Sequence, residues 1–205
     1  MRGAVRTPQV DSPTKEKLLD AAQRLMLAKG FVATTVDEIC EAAGLTKGSF
    51  FHYFESKEDL AKAALDRFVS TKAQAMQSAP FVQKRDPLQR VYGYLDFIIE
   101  MSKHSVAPSG CLLGNFAQEL SDTHPKIRTQ CANHFAQWTE VFKRDLDEAK
   151  AKYAPQASID TQSLAEHFIA VVEGALILAK AKQERQLVAE HVQHFKRYVK
   201  SLFES

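Results

Sequence analysis

The segment TTVDEICEAAGLTKGSFFHYFESKEDL, residues 34–60, decides how the rest of the chain is interpreted. Near its start, Thr35 is followed three positions later by Glu38, which is the spacing of a capping box that starts a helix. Val36, Ile39 and Ala43 then lie on one helical face, and Gly44 supplies the left-handed residue that ends a helix. A second short helix follows this turn. The pattern indicates a helix-turn-helix of the kind that binds DNA.

The second short helix, within TKGSFFHYF (46–54), carries four aromatic side chains. A helix that starts near Lys47 places Phe50 and Phe54 on one face, where they and Leu45 anchor it to the first two helices. An exposed aromatic ring needs a partner such as a thymine methyl group or a deoxyribose. A helical hairpin without a nucleic-acid role is the competing interpretation. The side chains left for solvent or DNA are Lys47, Ser49, Phe51, His52 and Tyr53.

Helical periodicity continues along the whole chain, and no long strand-like alternation interrupts it. The first helix is bounded by Ser12 as its cap, by Pro13 in its first turn and by Gly30 beyond its end. Another helix starts at Ser56 and runs to Pro80. The sequence therefore predicts an all-α protein with a helix-turn-helix domain over 12–57 and a larger helical domain over 58–205. Its later helices are expected at roughly 87–103, 111–122, 125–152, 160–183 and 188–203.

Composition excludes several other classes of protein. The 205 residues hold 27 basic and 25 acidic side chains, so net charge points to no partner, and contact with DNA must depend on local placement of charge. Three scattered cysteines without a CxxC pair argue against a disulfide framework or a zinc knuckle and indicate a reducing cytosol. Neither a membrane-length apolar run nor a signal peptide is found, so we expect a cytoplasmic protein with no membrane partner.

Residues 34–60 resemble the DNA-binding signature of the TetR family of bacterial repressors, T-x-x-x-I-A-x-x-A-G-x-[ST]-x-G-[ST]-[FIL]-Y-x-[HY]-F-x-[SN]-K-x-x-L. Cys40 stands where that signature usually has alanine. Phe51 replaces its tyrosine, which would remove one hydrogen bond to a phosphate. The resemblance implies a homodimeric repressor that binds a palindromic double-stranded DNA operator and is released by a small-molecule effector of unknown identity. It implies neither an enzyme nor a cofactor.

The same resemblance implies individual contacts with DNA. Thr35 would contact a backbone phosphate at the start of the first motif helix, and Lys57 would bind another phosphate at the start of the fourth helix, helped by the helix dipole. The base edges and the phosphates beside them would be contacted by Lys47, Gly48 and Ser49. The groove and further phosphates would be contacted by Phe51, His52 and Tyr53.

The larger domain is expected to bind the effector. Its stretch GCLLGNFAQELSDTHPKIR, residues 110–128, resembles the effector-domain segment of some subgroups of the same family. Aromatic and apolar residues suit the wall of such a pocket, and a few polar groups would orient the ligand. His167, His191 and His194 are expected to be surface or interface residues, so no metal site is predicted. The candidate pocket residues are Phe97, Met101, Cys111, Asn115, Phe116, Gln118, His134 and Trp138.

The last two helices are expected to form the dimer interface. The first of them is apolar over more than half of its circumference, and the second repeats apolar residues at spacings of 4, 3, 4 and 3. A helix with two apolar faces has to bury the second one, and a partner subunit is the usual place. The residues predicted to lie at this interface are Phe168, Val172, Ala175, Val192, Phe195 and Val199.

Two other functions remain open at this stage. Cys111 sits near a predicted helix start, where the helix dipole would lower the pKa of a partly exposed thiol and make it a redox or electrophile sensor. A small buried residue is the simpler interpretation of the same cysteine. An all-α enzyme is the third possibility, but no catalytic arrangement can be located from the sequence.

Overall fold

The computed structural model describes residues 12–104 and 110–203, and within these ranges the regular structure is helical, without strands. The all-α prediction is confirmed. The five later helices agree with their predicted ranges to within two residues at each end. A short 3-10 helix, Pro80–Gln83, precedes the fifth α-helix. The α-helices are α1 (Pro13–Lys29), α2 (Val36–Ala43), α3 (Lys47–Tyr53), α4 (Lys57–Gln77), α5 (Pro87–His104), α6 (Leu112–Leu120), α7 (Pro125–Tyr153), α8 (Thr161–Lys182) and α9 (Gln186–Phe203).

Local signals set the two helices of the motif. The Thr35 side chain accepts a hydrogen bond from the Glu38 backbone N–H, and the Glu38 carboxylate accepts one from the Thr35 N–H, which completes the predicted capping box. Gly44 ends α2 in the left-handed region, at φ 66° and ψ 37°. No other atom lies within 4 Å of where a Cβ on Gly44 would be, so this glycine is required by backbone conformation and not by space. Thr46 then caps α3 by accepting from the Ser49 N–H.

The N-terminal compact unit spans Met1–Phe68, and its boundary with the second unit lies inside α4. The sequence placed this boundary earlier, at the start of α4. The difference arises because the buried residues of α4 all lie in its first half, from Leu60 to Leu65. Arg67 also holds this half to α1, through ion pairs with Glu16 at 2.5 Å and with Asp20.

The second compact unit, Val69–Ser205, has its main core between α5, α7, α8 and α9. Tyr94 is 2% exposed and stacks on Phe142 at 4.7 Å between ring centroids. The Trp138 indole N–H donates to the Tyr94 hydroxyl oxygen, with 2.5 Å between Nε1 and Oη. Burial of this phenol raises the pKa of Tyr94, so the hydroxyl stays neutral. An aromatic cluster therefore fixes how these helices pack.

The structure corrects the residues predicted for the dimer interface. All of them are between 0 and 5% exposed within a single chain, so they already belong to the core of one subunit and a partner could cover almost nothing more. The apolar repeat was read correctly, but it faces inward. These core residues are Phe168, Val172, Ala175, Val192, Phe195 and Val199.

A second apolar stripe on α8 faces outward. Ile177 is 50% exposed and Leu178 is 41% exposed. A Cβ on Gly174 would meet open space. Residues three and four apart share a helix face, and the outward positions follow this spacing. We call these positions the outer stripe of α8. Four of its residues are exposed, and the other two are half-buried, with Val171 also packed against the core. The exposed four are Ala170, Ile177, Leu178 and Ala181, and the half-buried two are Val171 and Gly174. Across the described helices, none is both long enough and apolar enough to cross a membrane.

Candidate nucleic-acid interface

Helix α3 divides its aromatic residues between the core and the surface. Phe50 is 0% exposed and Phe54 is 3% exposed, which confirms the two predicted anchors. Phe51 is 57% exposed, and it touches Phe50 in an edge-to-face contact at 5.0 Å between ring centroids. The buried pair therefore fixes the rotation of α3 about its axis, and the opposite face is presented to solvent.

The outward side chains of α3 are polar, aromatic and closely spaced. Lys47 is exposed, and its ammonium group lies 2.7 Å from the Asp37 carboxylate of α2. The Ser49 hydroxyl lies 3.2 Å from the Thr46 hydroxyl, and His52 is exposed next to Tyr53. Together these side chains form a surface that combines hydrogen-bond donors, one cation and an apolar ring, which suits the major groove.

Gly48 lies in the middle of this surface. A Cβ at this position would come 3.6 Å from the Thr46 hydroxyl oxygen, which is an ordinary contact. The inside of the protein therefore does not require a glycine here. A side chain would only add bulk outside the helix, so the glycine leaves the backbone accessible from that side.

Tyr53 is half-buried, and its hydroxyl oxygen lies 2.8 Å from the hydroxyl oxygen of Ser12. Ser12 does occupy the cap position of α1, as predicted, but its side chain makes no capping hydrogen bond. It ties the start of α1 to the end of α3 instead. This contact orients the ring of Tyr53 relative to the exposed face.

Lys57 is engaged with the backbone of the turn before α2. Its ammonium group donates to the carbonyl oxygens of Phe31 at 3.0 Å and Thr34 at 2.9 Å, and it lies 4.2 Å from the centroid of the Phe31 ring. No pattern in the sequence indicates these contacts. They hold the turn that leads to Thr35, whose own hydroxyl takes part in the capping box.

The candidate pocket residues of the second unit fall into different environments. Cys111, at the start of α6, and Phe116, within α6, are buried. Met101 and Gln118 are exposed. The Gln118 amide donates back to the Gly114 carbonyl of its own helix at 3.3 Å. The remaining four are half-buried, and two of these pack against the main core cluster. Those four are Phe97, Asn115, His134 and Trp138.

Cys111 occupies the cap position of α6, as predicted, but its thiol is buried instead of partly exposed. Burial raises the pKa of the Cys111 thiol, and the neighbouring Glu173 carboxyl raises it further. The expectation of a lowered pKa is therefore wrong. A protonated thiol is a poor nucleophile, because the thiolate is the reactive form.

Glu173 is a further residue of this region, and it is not among the site residues predicted from the sequence. Its carboxyl group is hydrogen-bonded to Cys111, and its Oε1 atom is buried with no hydrogen-bond partner among the described residues. A Cβ on Gly114 would lie 2.1 Å from its Oε2 atom, so only glycine leaves room for the carboxyl group. Burial raises the pKa of Glu173. A lone acid inside the apolar run IAVVEGALILA was the available signal.

No group of three or more histidine, cysteine, aspartate or glutamate side chains within 12–104 and 110–203 is arranged to hold a metal ion. The geometry instead defines a class of protein: a helix-turn-helix with an exposed second helix, followed by a separate helical domain. The chain belongs to the tetR family of bacterial regulatory proteins, whose model matches residues 18–64, and a tetracyclin repressor-like C-terminal domain matches residues 87–195.

Individual relatives agree with this assignment. The chain is 31% identical to the transcriptional regulator AcuR of Cereibacter sphaeroides over 87% of this chain and 82% of that protein. It is 29% identical to the transcriptional repressor DhaR of Mycobacterium sp. strain GP1, over 85% and 86%. A regulatory protein TetR from Rhodobacter sphaeroides matches in structure with a TM-score of 0.79 and 29% identity, over 91% of this chain and 98% of that one. The protein is a DNA-binding transcriptional repressor of this family and not an enzyme.

Proposed function

We propose that a homodimer of this protein binds a palindromic operator through α3 and leaves it when a small-molecule effector binds the larger domain. The observation that carries the proposal is the division of α3, in which Phe50 and Phe54 are buried and the opposite face is exposed. Such a helix has a fixed orientation and a free surface, the two properties that reading a groove requires. We place the protein in the bacterial cytoplasm, where promoters are found.

Each outward group can make a different contact. The Lys47 ammonium is a donor for guanine O6 or N7, and Phe51 offers an apolar ring to a thymine methyl group. Gly48 leaves room for a phosphate or base edge to approach the backbone. Ser49 and His52 add hydrogen-bond donors to this face of α3, and the Tyr53 ring lies at its C-terminal end.

Thr35 and Lys57 would bind or support the DNA backbone. Thr35 stands at the start of α2, where the helix dipole favours a phosphate. We infer that Lys57 acts on DNA binding mainly through the turn that carries Thr35, because two carbonyl groups of that turn accept hydrogen bonds from its ammonium group.

The outer stripe of α8 is the surface that we assign to the dimer interface. It is apolar along its length, and the open space at Gly174 would allow a second helix to approach closely. Tyr198 of α9 is 49% exposed, and its ring lies 6.2 Å from that of His167 on α8, so it extends the same face. A two-fold axis through this face would bring equivalent residues together.

The effector would be a small apolar or amphipathic molecule, because five of the eight candidate pocket residues are apolar or aromatic and the other three are polar. Its binding would favour a conformation with wrongly spaced α3 helices, with a coupling of about 1–3 kcal/mol. The alternative, a sensor acting through Cys111, is disfavoured by the buried and protonated thiol.

Selection of bound duplexes from a random DNA pool tests the proposal. We expect a palindrome whose half-sites lie about 10–10.5 base pairs apart, or a multiple of this. Lys47→Ala should weaken binding to the selected operator by about 1–3 kcal/mol, whereas Lys84→Ala, at an exposed lysine of the second unit, should not. The absence of an enriched palindrome, or wild-type binding by Lys47→Ala, would contradict the proposal.

A further inference from the structure

The lysines around α2 are all engaged by groups of the protein itself. The ammonium group of Lys29 lies 2.5 Å from the Glu38 carboxylate, and that of Lys47 lies 2.7 Å from the Asp37 carboxylate. The Lys57 ammonium group donates to two backbone carbonyl groups. Residues 34–60 hold six acidic side chains against two lysines. The motif therefore carries a net negative formal charge, although positive charge normally supplies most non-specific affinity for DNA.

The ion pair between Asp37 and Lys47 joins the two helices of the motif. Asp37 lies in the first turn of α2 and Lys47 in the first turn of α3, and their side chains are 67% and 62% exposed. An exposed pair of this kind is weak enough for DNA to rearrange. A lysine ammonium also has three N–H donors, so Lys47 can keep its contact with Asp37 while it donates to a base.

We propose that Asp37 is a specificity-determining residue, which positions Lys47 for a base edge and cancels its attraction to phosphates. Non-specific binding depends on the number of phosphates that are neutralised, and a lysine paired with a carboxylate contributes little to that number. A hydrogen bond to a base depends instead on where the donor is held. Asp37 therefore weakens binding to random DNA more than binding to the operator. This inference rests on the proposed contact of Lys47 with the operator.

The test uses the full-length protein, the selected operator and a scrambled duplex of the same length, with fluorescence anisotropy at several salt concentrations. Asp37→Asn should bind the scrambled duplex more tightly, and the log–log salt slope should steepen by about 0.9 per subunit. The affinity of this variant for the operator should increase by a smaller factor. The ratio of operator affinity to scrambled-duplex affinity should therefore fall about twofold to fivefold per subunit.

Three further variants separate positioning from simple charge repulsion. Glu41→Gln removes an exposed acid of the same helix, so it should change both affinities alike and leave the ratio unchanged. Asp37→Glu keeps the charge and should keep the salt slope of the wild type. In a Lys47→Ala background, Asp37→Asn should no longer change the ratio, because the two residues act together. Circular dichroism and the melting temperature check that each variant is folded.

The outcomes distinguish this inference from the proposed function. An unchanged ratio in folded Asp37→Asn, or an equal fall in Glu41→Gln, would overturn the role of Asp37 while operator binding stands. A loss of helicity in both Asp37→Asn and Asp37→Glu would overturn it as well, because the residue would then be structural. Equal binding of the wild type to the operator and the scrambled duplex would contradict the proposed function itself.

Discussion

Helices α3 and α8 both carry apolar side chains on two faces, yet only α3 was oriented correctly from the sequence. In α3, the buried Phe50 and the exposed Phe51 are neighbours, and a capped start with a glycine turn before it fixes which of them points inward. In α8, the buried and exposed stripes are adjacent, and the helix runs for 22 residues without a cap or turn inside it. Periodicity shows that a helix has two apolar faces, but short-range signals are needed to decide which one the core takes.

Phe195→Glu on α9 should have the greatest effect on stability, and it tests whether Phe195 belongs to the core of one subunit or to a dimer interface. Phe195 is 3% exposed within one subunit, so Phe195→Glu would place a charge in the core and remove an aromatic contact with Phe168. We expect a loss of several kcal/mol in the free energy of unfolding, enough to unfold the second unit. Urea denaturation followed by circular dichroism measures it, with Gln193→Glu at an exposed position of α9 as the control. A folded, cooperative Phe195→Glu monomer would restore the original prediction.

The next effect compares the two neighbours in α3. Phe50→Ala should lower the free energy of unfolding by about 3–5 kcal/mol, because it empties a fully buried site. Phe51→Ala should change stability by less than about 0.5 kcal/mol, but it should weaken operator binding by about 1 kcal/mol or more. Equal losses of stability in Phe50→Ala and Phe51→Ala, measured by thermal or urea melts, would contradict this orientation of α3.

The reactivity of Cys111 gives a smaller effect within the second unit. Its raised pKa means that little thiolate forms near neutral pH, so iodoacetamide should label it slowly in the native protein and quickly in urea. Glu173→Gln removes the charge that adds to this shift and should increase the labelling rate a few-fold. Mass spectrometry in a background of Cys40→Ser and Cys131→Ser isolates the site. Fast labelling of native Cys111 with loss of operator binding would favour the sensor.

The smallest effect concerns the cap of α2. Hydrogen bonds from Lys29 and from Thr35 lower the pKa of Glu38 from 4.5 to about 2. Because the folded-state pKa is the lower one, this stabilisation is complete above pH 4.5 and is lost as the pH falls towards about 2. The melting temperature of the wild type should therefore exceed that of Glu38→Gln at pH 6, with a difference that shrinks on acidification. A difference independent of pH would contradict the assignment.

The features that could be predicted from the sequence are those set by residues close together in the chain. The capping box, the left-handed Gly44 and the burial of Phe50 and Phe54 each follow from residues a few positions apart, and all are confirmed. The contacts of Lys57 with Phe31 and Thr34 join residues more than 20 positions apart, and no periodicity encodes them. Which faces of α8 and α9 point inward likewise depends on the packing of four helices, and periodicity alone does not show it. Glu173 was visible as a lone acid, but its proximity to Cys111 was not.

Sedimentation of the wild type and of Ile177→Glu at micromolar concentration tests directly whether the outer stripe of α8 forms the dimer interface. Ile177 is 50% exposed in one subunit, so a glutamate there costs the folded subunit little but would be buried next to its symmetry mate in a dimer. We predict a dimeric wild type and a folded, helical monomer for Ile177→Glu, with Val141→Glu, at a similarly exposed position of α7, remaining dimeric. A monomeric wild type, or a dimeric Ile177→Glu, would contradict the assignment of the outer stripe of α8 as the interface.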